Sequence, residues 1–535
     1  MPTDNVINRN FEDLFSSTVR YEIPFFQRGY AWETRQWKKL FEDIQEIIES
    51  VDNNVFEDEE HFFGPIVVSE KISNHPSLKR FLIIDGQQRI TTVYILLAVI
   101  KKYLSDKTHL STDAQNYLVE LNSLLINNIS GSDDYLKLKV FSTKGDRLPT
   151  YKALFSQNPN SLYLPEDQLL YDPKNNKIDV FLSFVSKRLK SYDVPQLWQL
   201  YQATIKSLKI VWIPLNESKD DPQAIFESLN DAGMPLSASE LLCNYIFKPL
   251  TNDVSNEHEK LHNEVWLKAR REVGENKFEE YLRNLFSIGE KKRVGKERRM
   301  YVHFKNKNKR LTAESAKEIL KTISNYISVY NQISEPITYP HPSVEIKNLL
   351  IKIANTNMAS ITPFLMALLK SLENEAIKDD DVIKLLKESY VLLVRRKIAK
   401  LPVTKYDVFF PSLMNKIVSE PNKVKAFQTQ VQSEQLWVSD QEFENAFVTK
   451  EVYNQRELNF SRRVLQEIDS AMQTYNELPD YTSIYTIEHI LPQTLNSQWT
   501  EYLGNDATNI NLPVVINTIG NLSLNSGQAN STFGQ

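Results

Sequence analysis

The stretch Arg80-Phe81-Leu82-Ile83-Ile84-Asp85-Gly86-Gln87-Gln88-Arg89-Ile90-Thr91-Thr92-Val93-Tyr94-Ile95-Leu96-Leu97-Ala98-Val99-Ile100 reads as an apolar strand, a polar turn and a strongly apolar helix. Phe81 to Ile84 are β-formers. Gly86 can take backbone angles closed to other residues. The helix that follows leaves its first N–H groups without intrahelical acceptors, aimed back at the turn. Anions settle at such places. Arg89 adds a planar, permanently charged fork suited to phosphate oxygens, and Gln87 and Gln88 can donate to them or hold a water or a metal. The pentapeptide Asp85-Gly86-Gln87-Gln88-Arg89, taken alone, is equally a polar turn that binds nothing.

Upstream lies Ile23-Pro24-Phe25-Phe26-Gln27-Arg28-Gly29-Tyr30-Ala31-Trp32, followed by an amphipathic pattern with Trp37, Leu40, Phe41, Ile44 and Ile48 on one helical face. Phe63-Gly64-Pro65-Ile66-Val67-Val68 predicts a strand paired with the one before the turn. Further on come Phe226-Glu227-Ser228-Leu229-Asn230-Asp231-Ala232-Gly233-Met234-Pro235-Leu236 and then Glu240-Leu241. In order, spacing and residues these segments resemble the N-terminal domain of GmrSD-type modification-dependent (type IV) restriction proteins, whose core is similar to the ParB and sulfiredoxin fold. The resemblance implies a nucleoside-triphosphate site in which Asp85, Gly86, Gln87, Gln88 and Arg89 meet the phosphates and Gln27 and Arg28 lie close by. The residues themselves leave two readings open, because a buried arginine needs an anionic partner or several acceptors. Arg28 and Arg89 either face a bound phosphate or pair internally with Asp85 and Glu227. Tyr30 and Trp32 read as core or wall residues rather than base-stacking platforms.

At 535 residues the chain is long enough for two to four domains with sizeable cores. An apolar fraction of 41% and a charged fraction of 24% are those of an ordinary globular protein. The sequence shows neither a secretory signal nor the roughly 18 uninterrupted apolar residues of a membrane span, so no membrane partner is expected. Its single cysteine, Cys243, excludes an internal disulfide and a cysteine metal cluster, which points to the cytoplasm. Cys243 itself reads as a small core side chain. With a net charge of −5, nucleic-acid binding needs local patches. The candidate patch is Lys291, Lys292, Arg293, Lys296, Arg298, Arg299 and the run from Lys305 to Arg310, with Tyr301 and Phe304 interleaved, which is either a surface that tracks a DNA backbone or a solvated face. In Arg395-Arg396-Lys397, which follows an apolar helical stripe, an arginine can equally tie helices together.

Three regions are expected. Residues 1–250 form the α/β, ParB/sulfiredoxin-like nucleotide-binding domain, with helical insertions near 91–128 and 178–207 and a late strand at Lys209–Leu215. Residues 251–400 form a helical connector, where Val344, Leu349, Leu350 and Ile353, then Phe364, Leu365, Leu368, Leu369 and Leu372, recur at helical spacing. Residues 401–535 form the last domain, and the whole is helix-rich α+β. Its two motifs are Tyr485-Thr486-Ile487-Glu488-His489-Ile490-Leu491-Pro492-Gln493 and Asn517-Thr518-Ile519-Gly520-Asn521-Leu522-Ser523-Leu524, the latter continuing through Asn530-Ser531.

From the residues alone, His489 is a hydrogen-bonded histidine in a turn and the asparagines are turn residues. The pair of motifs resembles the C-terminal domain of the same GmrSD-type proteins, an HNH-like, ββα-metal nuclease. Cleaving a phosphodiester calls for a base that activates water and a divalent metal at the scissile phosphate. The resemblance makes His489 the general base, Glu488 a metal ligand, Asn521 the residue that orients the histidine or its loop, and Asn530 the second ligand-side residue. Oxygen donors of this kind suit Mg²⁺ or Mn²⁺. Relatives carry a further helix beyond the Asn-Ser segment, whereas this chain stops at Gln535, so the ββα unit is expected to be shortened.

The expected function is a metal-dependent DNA endonuclease of anti-phage defence, nicking foreign or modified DNA under the control of nucleoside triphosphate binding or hydrolysis. Its partners are DNA and the triphosphate, with a second copy or partner defence proteins as further candidates. The alternatives are a nucleotide-dependent DNA-binding sensor with a degenerate nuclease domain, and a nucleoside triphosphatase whose C-terminus is an interaction module.

Overall fold

The structure, a computed structural model, describes residues 7–51, 55–56, 60–71, 73, 75–107, 112–129, 137–155, 176–215, 236–250, 257–472, 485–504 and 512–526. The Phe226–Pro235 part of the second signature, with Glu227, and Asn530 lie outside these residues. The chain divides into two units, Met1–Lys248 and Pro249–Gln535.

The first unit is built on a mixed six-stranded sheet. Along the chain run β1 (Ile7–Asn10), α1 (Phe11–Phe15), β2 (Val19–Glu22), α2 (Thr34–Ser50), β3 (His61–Lys71), β4 (Lys79–Asp85), α3 (Gln87–Ser105), β5 (Val140–Phe141) and β6 (Leu208–Leu215), with several further helices. The strand order is β1-β6-β3-β4-β2-β5. β3 pairs antiparallel with β4, as its apolar pattern predicts, and parallel with β6. A tight hairpin suffices for the first pairing, whereas the second needs a long crossover, which the intervening helices supply. α3 is apolar on every side and is accordingly buried on every side, each residue from Ile90 to Ile100 being enclosed. Helices Thr112–Leu125, Lys144–Leu154, Lys177–Leu189 and Val194–Gln202 pack around it. The cost of fixing those elements is offset by the apolar area they remove from water.

α2 buries Trp37, Leu40, Phe41, Ile44 and Ile47, with Ile48 half-buried at the edge. It also buries Asp43, which no hydrophobic pattern foretells; Lys39 (2.7 Å) and His61 (3.3 Å) pair with that carboxylate. Cys243 is a buried thiol in the Ala238–Phe247 helix.

The second unit is helical from Glu257 to Met472 and ends in a two-stranded antiparallel pair, β7 (Tyr485–His489) and β8 (Leu522–Ser526). Helix Val344–Ala354 packs on Asp379–Ile398, and Thr362–Glu373 on Tyr406–Ile417. Val344 departs from the predicted apolar stripe. It opens its helix directly after the Ser343 cap and is 70% exposed. Among the described residues no helix is long and apolar enough to cross a membrane. The whole is a helix-rich α+β protein.

Candidate functional site

Gly86 caps α3 in the left-handed region (φ 93°) and supplies no side-chain cap. A Cβ there would sit 2.9 Å from Ile66 Cγ1 and 3.0 Å from the Pro65 carbonyl, so β3 crosses the turn closely enough to demand glycine. The first-turn N–H groups of α3 have no intrahelical acceptors. Arg89 lies over Gly64, which has φ +118° and occupies a bulge where β3 shifts register against β6. A Cβ on Gly64 would lie 2.6 Å from Arg89 Nε. The guanidinium donates from Nη1 to the Pro65 carbonyl (2.8 Å), with Asp85 Oδ2 at 3.5 Å. The internal pairing foreseen for Arg89 is therefore present at Asp85.

Gln27 and Gln88 fasten the upstream loop onto this turn. Gln27 Nε2 donates to the carbonyls of Ile83 (3.1 Å) and Ile84 (3.2 Å) at the end of β4. Gln88 Oε1 accepts from Ala31 N (2.7 Å) while its Nε2 donates to the Gly29 carbonyl (3.1 Å). Arg28 is half-buried between these two anchors. Tyr30 is core, its hydroxyl meeting Thr92 Oγ1 (2.7 Å) and Trp37 Nε1 (2.9 Å). Asp146 completes the clamp: Oδ2 accepts from Tyr30 N (2.6 Å) and Thr143 Oγ1 (3.1 Å), and Oδ1 from Asn176 Nδ2 (3.0 Å). Burial pushes the Asp146 carboxyl above its ordinary range, with the three donors opposing that shift. Asp146, Thr143 and Asn176 carried no signal in the sequence, since nothing local marks a contact made across more than a hundred residues.

The residues present fit a nucleoside triphosphate. The α3 N-terminus and Arg89 suit phosphate oxygens. Gln27 Oε1 and Gln87 Oε1 are buried acceptors with no hydrogen-bond partner among the described residues, a costly condition that a ligand hydroxyl, amine or phosphate-bound cation would relieve. Gly64→Ala is expected to displace the Arg89 fork and weaken triphosphate binding about ten-fold. Isothermal titration of the full chain checks this, and unchanged affinity would separate Arg89 from the ligand.

In the second unit, β7 and β8 pair from Tyr485 with Ser526 to His489 with Leu522. His489 stands at the end of β7 with Nε2 3.4 Å from both Asn517 Oδ1 and Gln493 Nε2, and the Tyr453 ring meets it edge-on at 4.6 Å. Asn521 does not reach for the imidazole. Its Oδ1 accepts from Leu491 N (2.6 Å) and its Nδ2 donates to the carbonyls of Leu491 (3.0 Å) and Ile516 (2.9 Å), pinning the chain that leaves His489. Of the two orienting roles foreseen for Asn521, the geometry is that of the loop. Asn521→Ala is expected to cost about 2 kcal/mol of stability by orphaning these backbone groups, read by denaturant unfolding. Tyr453 was missed as a neighbour of His489 because it comes from a separate segment of the chain, whereas Gln493 ends the motif that contains the histidine.

Two family models match the chain. Residues 11–247 match the N-terminal domain of GmrSD restriction endonucleases, and residues 437–535 match their C-terminal domain. The chain belongs to the GmrSD restriction endonuclease family. No curated protein matches it. As a GmrSD restriction endonuclease its substrate is DNA.

Alternation along a strand sends Glu488 and His489 to opposite faces of β7. Among the described residues no group of three or more His, Cys, Asp or Glu side chains is placed to hold a metal ion. Of the two ligands foreseen for Mg²⁺ or Mn²⁺ in this GmrSD protein, Glu488 is described, on the face of β7 opposite His489, and Asn530 lies outside the described residues.

The basic patch is only partly a surface. Lys291, Lys292, Arg298 and Arg299 are exposed. Arg293, expected to face DNA, is instead buried, its guanidinium held by Glu280 and by Asn284 Oδ1 (2.7 Å from Nη2). An arginine so enclosed is retained because its charge is paired. Tyr301 and Phe304 are also buried and cannot stack on bases. Arg396 ties helices together, donating to the carbonyls of Leu436 (3.0 Å) and Pro402 (3.1 Å).

Proposed function

We propose that this protein is a modification-dependent DNA endonuclease of anti-phage defence, in which His489 is the general base and a triphosphate at the Gly86–Arg89 turn regulates cutting. The observation that carries the reading is the presence of both GmrSD domains in one chain, each holding its motif in an ordered polar site. We read the mixed sheet of the first unit as ParB/sulfiredoxin-like and β7–β8 as the ββ part of an HNH-like domain. The half-buried His489, its Nε2 flanked by two amide side chains, takes the proton of a water as the water oxygen attacks phosphorus; the P–O bond to the leaving nucleotide breaks and that oxygen takes a proton from solvent. Lys291, Lys292, Arg298 and Arg299 are proposed as contacts to the DNA backbone. By the family resemblance Glu488 and Asn530 would hold Mg²⁺ or Mn²⁺, which would neutralise charge on the scissile phosphate.

Regulation requires that the triphosphate bind two conformations with different affinity. Nicking of supercoiled plasmid and of modified phage DNA, with and without triphosphate and divalent metal, tests the whole reading. Equal nicking at every triphosphate concentration removes the regulatory part, and no nicking by the folded chain removes the nuclease. The alternative is a nucleotide-dependent DNA-binding sensor whose nuclease domain is degenerate. Tight DNA binding without cleavage under all these conditions selects it.

A further inference from the structure

A cavity of about 620 Å³ opens beside His489. Tyr453, Gln493 and Asn517, side chains that meet the imidazole, also line this cavity. Its opposite wall comes from elsewhere in the unit: Lys397 and Lys400 at the end of the Asp379–Ile398 helix, and Arg456 from the turn before helix Leu458–Met472. Lys397 and Lys400 lie outside both stretches matched by the family models. Two carboxylates share the wall. Glu457 pairs with Lys397 at 2.6 Å and Glu451 with Lys400 at 3.0 Å, leaving three cations against two anions.

We infer that this cavity seats the nucleotide adjoining the scissile phosphate of a DNA strand, with Lys400 and Arg456 taking its backbone phosphate and Tyr453 and the amides facing its sugar and base. Its volume lies within the range that encloses a small organic ligand, and a nucleotide falls in that class. An aromatic edge with neighbouring amides, rimmed by cations, is the composition that holds a single-stranded nucleotide without demanding one sequence. Lys400 is the cation free to turn toward a phosphate: it is half-exposed, and its pair with Glu451 is of the solvent-screened kind that holds weakly. Lys397 is committed to Glu457 and the Thr356 carbonyl (2.8 Å) and serves as a fixed wall. The inference rests on the reading of His489 as the cutting residue, but it concerns binding and is measurable without cleavage.

Lys400 also offers a clean variant. It occupies the left-handed position (φ 54°) after its helix, where Lys400 N bonds the Lys397 carbonyl and Leu401 N the Arg396 carbonyl. Glycine fits this position without strain, so Lys400→Gly removes the ammonium and leaves the backbone at ease.

The test measures binding of a fluorescent single-stranded oligonucleotide to the full chain by anisotropy, in chelator so that no strand is cut. Lys400→Gly is expected to weaken binding about ten-fold and to lower the salt dependence by about one phosphate contact, with Tm unchanged or raised. Arg456→Gln should act alike, and Glu451→Gln, which releases Lys400, should tighten binding. Lys384→Gln, a matched charge loss at the exposed Lys384–Asp380 pair, should change nothing. Unaltered affinity in Lys400→Gly, or an equal loss in Lys384→Gln, overturns the inference. A fall in nucleoside triphosphate affinity in Lys400→Gly overturns it too, by making the cavity a seat for free nucleotide. If oligonucleotide binding responds as stated while the chain cuts no DNA, the nuclease reading fails and the subsite stands.

Discussion

His489→Ala is expected to abolish strand nicking, a loss of about 10²-fold to 10⁴-fold, the range supplied by a positioned general base. The imidazole sits at the end of β7 and among the described residues makes two long polar contacts, at 3.4 Å, so its removal should leave β7–β8 pairing and the Asn521 clamp intact. Thermal unfolding of the variant should therefore match that of the parent, and so should oligonucleotide binding in chelator. Supercoiled plasmid converted to open circle is the readout. Retained nicking would place the base elsewhere and remove His489 from the mechanism. Joint loss of nicking and folding would make the histidine structural, an outcome that Asn517→Ala, which removes one neighbour and leaves the ring in place, then separates from catalysis.

Arg89→Ala should weaken triphosphate binding between about ten-fold and a hundred-fold, as expected for a lost charge-assisted contact. Arg89→Lys should fall between the two, because lysine keeps the charge but cannot offer two parallel N–H groups. Asp85 and the Pro65 carbonyl are the groups that hold Arg89 in the structure, so Arg89 must exchange one or both for phosphate on binding. Asp85→Asn is then expected to loosen that hold and to bring triphosphate affinity up rather than down. Titration calorimetry reads both variants. Undiminished binding in Arg89→Ala would show that the turn is an internally satisfied cap, with the buried Gln27 and Gln87 oxygens left to another explanation.

These two sites differ in how far their sequence foretold them. Asp85 to Arg89 form a continuous strand-to-helix turn whose glycine, charge and flanking periodicity are all local, so its conformation was legible residue by residue. What holds Gln27 and Arg28 against it was not, because Gln88 reaches the carbonyl of Gly29 and Asp146 the amide of Tyr30 across long loops. The same division runs through the C-terminal unit. A strand ending in Glu488-His489 followed by a proline turn and Gln493 is local, while Tyr453 and Asn517 reach His489 from separate segments.

By itself the sequence determined the elements and their burial where one periodicity dominated: the uniformly apolar α3, the amphipathic α2, the β3–β4 pair and the buried Cys243. Hydrophobic period is a property of consecutive residues, and burial follows it directly. Only the tertiary structure decided which polar groups are used internally. It turned Arg293 inward onto Glu280, placed Val344 in solvent, buried Asp43 between Lys39 and His61, and gathered Lys397, Lys400 and Arg456 around one cavity with Tyr453, Gln493 and Asn517, neighbours of His489. The physical reason is that a charged side chain takes its environment from whatever partner the fold brings within about 4 Å, and no pattern along the chain records that distance.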